Sequence, residues 1–258
     1  MIDPNFHLAA FYSSLLQNAA YAQLAAVADG GLTRNSANQY IAPDNLRIMA
    51  AHVQGVTTNR AQVQAPSLRN LAYPEIYPVV QAARTAIPDA AGIRIYKDSG
   101  PRLLMNEAFG IYASEDGTGA SPTNAALLLG KKWMPSPPGP IITLVATSTI
   151  VLVDTAWVLG TLSFETQLAA GEYLVVGMDV VMDNANYARL VFPGSANWRP
   201  GCPVLDAYGE KTWLDSFRNG NFGSWGSFLF NNPPQVEVFG AAAGSTAGTF
   251  FLDVIKIG

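Results

Sequence analysis

The chain has 258 residues, a formal net charge of −4, and 13% charged against 49% hydrophobic residues, where ordinary soluble proteins carry roughly 25% charged residues. With no basic run and no arginine-rich arm, it lacks the electrostatic footprint of a nucleic-acid binder. One cysteine, Cys202, and two histidines, His7 and His52, exclude an intramolecular disulfide framework and a zinc site of cysteine and histidine.

A monomer this poor in charge needs unusually neutral surfaces, whereas a subunit covered by neighbours does not. Interface cores are depleted in charge and enriched in aromatics, and this chain has 12 Phe, 10 Tyr and 5 Trp. A secreted β-sandwich with a neutral surface fits the same composition. No N-x-S/T acceptor for glycosylation occurs.

In chain order, residues 5–28 come first and carry no Asp, Glu, Lys or Arg. Leu8, Phe11, Leu15, Ala19 and Ala22 recur at helical spacing, with Tyr12, Leu16 and Leu24 widening the stripe. Asp3-Pro4 is a suitable start and Asp29-Gly30-Gly31 a suitable stop. The spacing predicts one amphipathic helix in an N-terminal arm, residues 1–30. It packs on a sheet, or docks on a neighbouring subunit or a lipid surface through Phe11, Leu15 and Tyr21. The acidic flank at Asp3 and the polar breaks at Ser13, Ser14 and Gln17 speak against a signal peptide or a membrane span, so the mature chain is expected to be the whole chain.

Residues 31–133 read as a β-rich module of short extended pieces: Leu46–Val53, Ala61–Gln64, Ile76–Val80 and Ile93–Tyr96. Pro43, Pro66, Pro74, Pro78 and Pro88 belong at strand ends, edges or turns, because proline cannot donate to a ladder. Leu103–Ala113 fits strand or helix. Ser121-Pro122 opens a predicted short helix through Ala125–Leu129, with Lys131-Lys132 at the negative end of its dipole. Residues 134–140, Met-Pro-Ser-Pro-Pro-Gly-Pro, forbid helix and interior strand and mark a linker.

The C-terminal module, residues 141–258, has the strongest β signal. Ile141–Val153, Thr161–Leu168, Tyr173–Met182, Tyr187–Phe192, Trp225–Phe230, Val236–Phe239 and Thr249–Ile257 read as strands, spaced as in a sandwich or jelly roll. Between them, residues 198–230 hold Trp198, Trp213, Phe217, Phe222, Trp225, Phe228 and Phe230 among glycines. These rings can anchor a subunit interface, stack on sugars, or close the end of the sandwich. Arg199 and Arg218 beside them can stack on rings or pair with an acid across an interface.

The chemistry search finds no catalytic set. His7 and His52 lack a nucleophile elbow, Cys202 sits in Pro200-Gly201-Cys202-Pro203 as a small apolar residue, and no phosphate loop or dinucleotide fingerprint occurs. Glu165, Glu172, Asp179, Asp183, Asp206, Glu210, Asp215 and Glu237 leave a glycosidase carboxylate pair as a remote alternative. Asp179, Asp183, Asn184 and Asn186 offer oxygen ligands to calcium but do not match an EF-hand. The expectation is therefore a non-enzyme with no cofactor and no metal.

Ala170-Gly171-Glu172-Tyr173-Leu174-Val175-Val176 resembles the small-Gly-x-Tyr strand of C1q/TNF-like jelly rolls, and Thr249–Ile257 resembles their last strand. The whole layout resembles jelly-roll viral capsid proteins, including the compact double jelly-roll coat proteins of small bacteriophages. That resemblance implies a mainly β fold with a jelly-roll C-terminal module and an N-terminal module that is smaller and irregular, or a second jelly roll. It also implies a virion protein whose subunits trimerise and tile a shell. The partners would be copies of itself, other capsid proteins or an internal membrane, with no direct nucleic-acid contact. The alternative is a trimeric glycan- or receptor-binding sandwich at a cell surface. The interface candidates are Phe11, Leu15, Tyr21, Trp198, Arg199, Trp213, Phe217, Phe222 and Trp225.

Overall fold

The computed structural model describes the chain except residues 17–19, 72, 78, 84–91, 117–120, 133, 196, 205–216 and 219, and describes only the backbone of 15, 16, 71 and 121. It is mainly β, with several antiparallel sheets, and no helix among the described residues reaches seven residues. The chain divides into two compact units. One comprises Leu8–Lys132, and the other joins Met1–His7 to Trp133–Gly258.

The first unit is built from β1 (Phe6–Leu16), β2 (Ala22–Gln23), β3 (Ala25–Ala26), β4 (Tyr40–Ile41), β5 (Leu46–Gly55), β6 (Thr58–Gln64), β7 (Glu75–Ile76), β8 (Ile93–Ile95), β9 (Arg102–Leu103), β10 (Ala108–Glu115) and β11 (Ser121–Gly130). One sheet runs β3-β1-β11-β5-β8, with β9 also on β5, and the other runs β2-β10-β6-β7, with β4 also on β10. Leu24, fully buried, marks the point where the chain leaves one sheet for the other: Gln23 pairs with Tyr112 and Ala25 with Tyr12. Phe11, Tyr40 and Phe109 form the ring cluster of the core, with Phe11 edge-on to Tyr40 at 5.1 Å. The buried Tyr40 hydroxyl lies 2.7 Å from the Val27 carbonyl and 3.0 Å from that of Ala10, so its polar tip is satisfied inside the core.

The second unit holds β12 (Ile142–Leu152), β13 (Trp157–Gly160), β14 (Ser163–Phe164), β15 (Glu172–Met182), β16 (Ala185–Val191), β17 (Gly201–Pro203), β18 (Gly226–Leu229), β19 (Gln235–Gly240) and β20 (Gly244–Lys256). Its sheets run β14-β12-β20-β15-β18 and β13-β19-β16-β17. Along β12 the side chains alternate: Leu144, Ala146, Ser148, Ile150 and Leu152 are buried, while Thr147, Thr149 and Val151 are exposed. That is the period-2 pattern of a strand with one face on the core. Ala146 faces Phe250 and Leu144 faces Leu252 across the ladder, and Val180 and Met178 extend the same rows onto β15.

Both units follow one strand order. In each, the first long strand pairs with the last, the last with the third and the third with the sixth, giving β1-β11-β5-β8 and β12-β20-β15-β18. The other sheet joins second, seventh, fourth and fifth, as β2-β10-β6-β7 and β13-β19-β16-β17. The short strands β3, β4, β9 and β14 are additions to this shared frame.

Two predicted helices are strands. Residues 5–28, expected as one amphipathic helix, form β1, β2 and β3. Phe6 through Phe11 are all buried, so both faces of the first half of β1 are covered. A run apolar on every side satisfies a helical stripe and a two-sided strand equally well, and pairing with β11 decides for the strand. The short helix expected over Ala125–Leu129 is the middle of β11, where Ala125 pairs with Val53 and Leu127 with Ala51. Its alanines and leucines favour helix in isolation, but burial on both faces overrides that weak preference. Thr161–Leu168 contributes only the two-residue β14.

Candidate functional site

The outer face of the large second-unit sheet carries the most unusual surface chemistry. Thr147 faces Thr249, Thr149 faces Ala247, Val151 faces Ser245 and Val145 faces Phe251, while Val181 continues the Thr249 row onto β15. None of these nine side chains is charged, and Val151 is 68% exposed. Val153, Ile141, Ile142 and Leu159 are further exposed aliphatics in this unit. Water gains little from such a face, so its burial against another surface is favourable.

At one end of this face the charges are paired. Asp253, 1% exposed, accepts two bonds from Arg218, at 2.6 Å from Nη2 and 3.0 Å from Nε, and a third from the Thr143 hydroxyl at 2.8 Å. Asp179 lies in the same surroundings, and its carboxyl is pushed up to about 6 by burial, against the opposing pull of Arg218. The salt bridge raises the Arg218 guanidinium above its ordinary value.

A second charged group lies across β13, β19, β16 and the N-terminal segment. Arg189 is fully buried, donates to Glu237 at 2.7 Å and sits with its guanidinium carbon 3.9 Å above the Trp157 ring centre. Arg199 grips both oxygens of the same carboxylate, at 2.6 and 2.8 Å. His7 lies 3.0 Å from the Asn197 carbonyl through Nδ1 and 3.2 Å from Arg189 Nη1 through Nε2. A carbonyl only accepts and a guanidinium only donates, so the network assigns the proton to Nδ1 of a neutral ring. Gly201 flanks the site, and a Cβ there would lie 2.2 Å from the Ala188 carbonyl and 2.6 Å from Arg189 Cβ.

The predicted interface residues scatter. Phe11 belongs to the first-unit ring cluster, and Phe217, Phe222 and Trp225 are each at most 3% exposed in the second unit. Rings so buried offer a partner no area, and of the three readings of this tract the closing of the sandwich fits them best. Phe217 and Phe222 pack against each other at 5.0 Å with their planes tilted by 42°, and Phe228 stacks on Tyr173 at 5.6 Å. Trp198 and Arg199 are half-buried, and Arg199 spends its charge on Glu237 of its own chain. Tyr21 is half-buried and donates to Glu75 at 2.5 Å, and burial pushes its phenol up to about 12. The Leu15 side chain and Trp213 lie outside the described residues.

Asn184 takes a turn conformation at φ 56°, Asp179 belongs to the Arg218 environment, and no three acidic, histidine or cysteine side chains gather among the described residues. Cys202 is buried, and burial pushes its thiol up. The uncharged strand face was legible in the Thr/Val run 141–153. The Arg189 network was not, because its members come from positions 7, 157, 189, 199 and 237 with no spacing signal.

No family model and no curated protein matches the sequence. Among solved structures, the chain is similar to the major capsid protein P2 of bacteriophage PM2, at 10% identity and a TM-score of 0.24, covering 98% of each chain. A score that low carries no argument about this chain.

Proposed function

We propose that this chain is a non-catalytic structural subunit, a viral major capsid protein built from two jelly rolls that assembles with copies of itself into a shell. The observation that carries the reading is the strand order. The succession in which eight strands alternate between two sheets, with first beside last, is the jelly-roll winding, and it occurs once in each unit. On this reading the first unit is a second jelly roll whose edge strands β7 and β8 are only two and three residues long. Fold alone does not fix function, and the surface adds a second, independent support.

Low charge, the neutral face of β12 and β20, and exposed Val151, Val153 and Leu159 support a surface meant to be covered. The partners on this reading are copies of the chain, as trimers and larger assemblies in a virion. Light scattering with negative-stain microscopy of the purified protein tests it. Trimers or shells at micromolar concentration are expected, and a stable monomer there overturns the proposal.

A further inference from the structure

We propose that the first unit carries a binding pocket for a carboxylated sugar ring, formed around Arg69, Tyr73 and Tyr112. The cavity, about 350 Å³, is lined by Gln39, Gln64, Arg69, Tyr73 and Tyr112 over a floor of Ala65 and Ala108. That lies at the small end of ligand pockets, roughly 300–1,000 Å³, and suits a single sugar residue.

One wall is preorganised. The Tyr112 hydroxyl donates to Gln23 Oε1 at 2.9 Å and accepts from Gln39 Nε2 at 3.1 Å. The Gln23 amide is itself anchored on the Ala37 carbonyl at 2.6 Å, and Gln39 Oε1 accepts from Asn35 at 3.2 Å. The ring and the amide are thus fixed before any ligand arrives, which lowers the entropy cost of binding.

The other lining residues hold strain and an available charge. Tyr73 has φ 44° and precedes Pro74, a combination disfavoured for a bulky residue and again for any residue before proline. It is held there because the Pro74 carbonyl accepts from Val63 at 3.0 Å and Ile76 pairs with Ala61. Such outliers cluster where a side chain has a task. Arg69 is exposed and enters no ion pair among the described residues, which leaves its guanidinium available to a ligand.

Two phenol rings suit the C–H face of a sugar, two amides suit its hydroxyls, and a guanidinium fork suits a carboxylate. A lone cation without a nest of backbone N–H groups is poor equipment for a phosphate. Gly110, between Ala108 and Tyr112 on β10, keeps the floor open. A Cβ there would meet only ordinary contacts, 3.6 Å to Tyr112 and 3.7 Å to Gln39, so a larger side chain fills the cavity without a backbone clash.

The test is saturation-transfer NMR on the full chain with glucuronic acid and N-acetylneuraminic acid, and with glucose and inorganic phosphate as controls. At least one acid is expected to receive saturation on its ring protons. Arg69→Ala should weaken that binding roughly tenfold or more, and Gly110→Leu should abolish it, both with unchanged melting temperature. Should Gly110→Leu misfold, Arg69→Ala and Tyr73→Ala are read in its place. No signal from either acid, glucose binding as well as glucuronate, phosphate displacing the acids at equal concentration, or binding unaffected by Arg69→Ala each overturns the proposal.

Discussion

Arg189 lies over the Trp157 ring at 3.9 Å while its guanidinium donates to Glu237 at 2.7 Å. The two contacts use different faces of one planar group: its edge makes the ion pair and its flat side covers the indole. Glu237 stands between Arg189 and Leu159 in the ladder β16-β19-β13, so the pair also ties adjacent strands of the smaller second-unit sheet. Removing one member of a buried pair costs about 3–5 kcal/mol, because the other charge stays buried. Arg199 holds the same carboxylate and softens that loss. Arg189→Ala should therefore destabilise the second unit by roughly 3 kcal/mol in urea unfolding followed by tryptophan fluorescence. Arg189→Lys keeps the charge but not the fork or the flat face, and should recover less than half of the loss.

His52 sets an acid limit on the first unit. It is 2% exposed on β5, between Ala126 and Ile93 of the neighbouring strands, and burial pushes its ring down to about 3 from the ordinary 6.5. The unfolded chain thus binds a proton at 6.5 that the folded chain refuses until about 3. The stability tied to neutral His52 is complete above pH 6.5 and drains away as pH falls towards 3. His52→Leu should flatten this decline, and thermal unfolding between pH 7 and 4 checks it. Parallel losses in wild type and variant would count against the assignment.

Asp179 acts with the opposite sign. Its folded value of about 6 exceeds the ordinary 3.8, so the folded chain holds the proton more tightly than the unfolded one. The associated stability is complete below 3.8 and is lost as pH rises through 6. Above that, a carboxylate 6% exposed must stay charged, with Asp253 opposing it and Arg218 already engaged elsewhere. Asp179→Asn should melt higher than wild type at pH 8 and level with it at pH 4. A variant less stable at pH 8 would mean that its attraction to Arg218 outweighs the burial cost.

How much of this could be read beforehand depended on burial. β12, β15, β19 and β20 were visible because they are long and β12 alternates between core and solvent. β1 and β11 were misread because both faces are covered, which erases the period-2 signal and leaves only composition, rich in Ala and Leu. β8 falls inside the expected piece Ile93–Tyr96 and β7 meets the expected Ile76–Val80 only at Ile76, whereas β17, three residues long, carries no period at all. Trp225 admitted three readings, interface anchor, sugar platform or closure of the sandwich, because sequence shows an aromatic among glycines but not its depth. Gly226, at φ 139°, has the Phe192 ring 3.2 Å from where its Cβ would be, a close approach that glycine permits. The cavity of the first unit was invisible for the reason that hid the Arg189 network: Gln39, Arg69 and Tyr112 come from distant positions with no spacing signal.

The neutral sheet face gives the sharpest test of assembly. Val151 lies opposite Ser245 on the exposed side of β12, and Thr149 opposite Ala247 lies two residues back along the same face. A lysine at 151 points into solvent in the isolated chain, so Val151→Lys should change folding stability by no more than about 0.5 kcal/mol. If this face packs against a copy, the same change buries an unpaired charge at each contact, costing several kcal/mol, and dissociates the assembly. Thr149→Lys should do the same, whereas Lys97→Ala, an exposed first-unit change, should leave assembly intact. Sedimentation velocity at matched concentration separates the outcomes. Particles unchanged in both face variants would move the self-association surface away from β12 and β20, while a lowered melting temperature would show that the face belongs to the fold of the single chain.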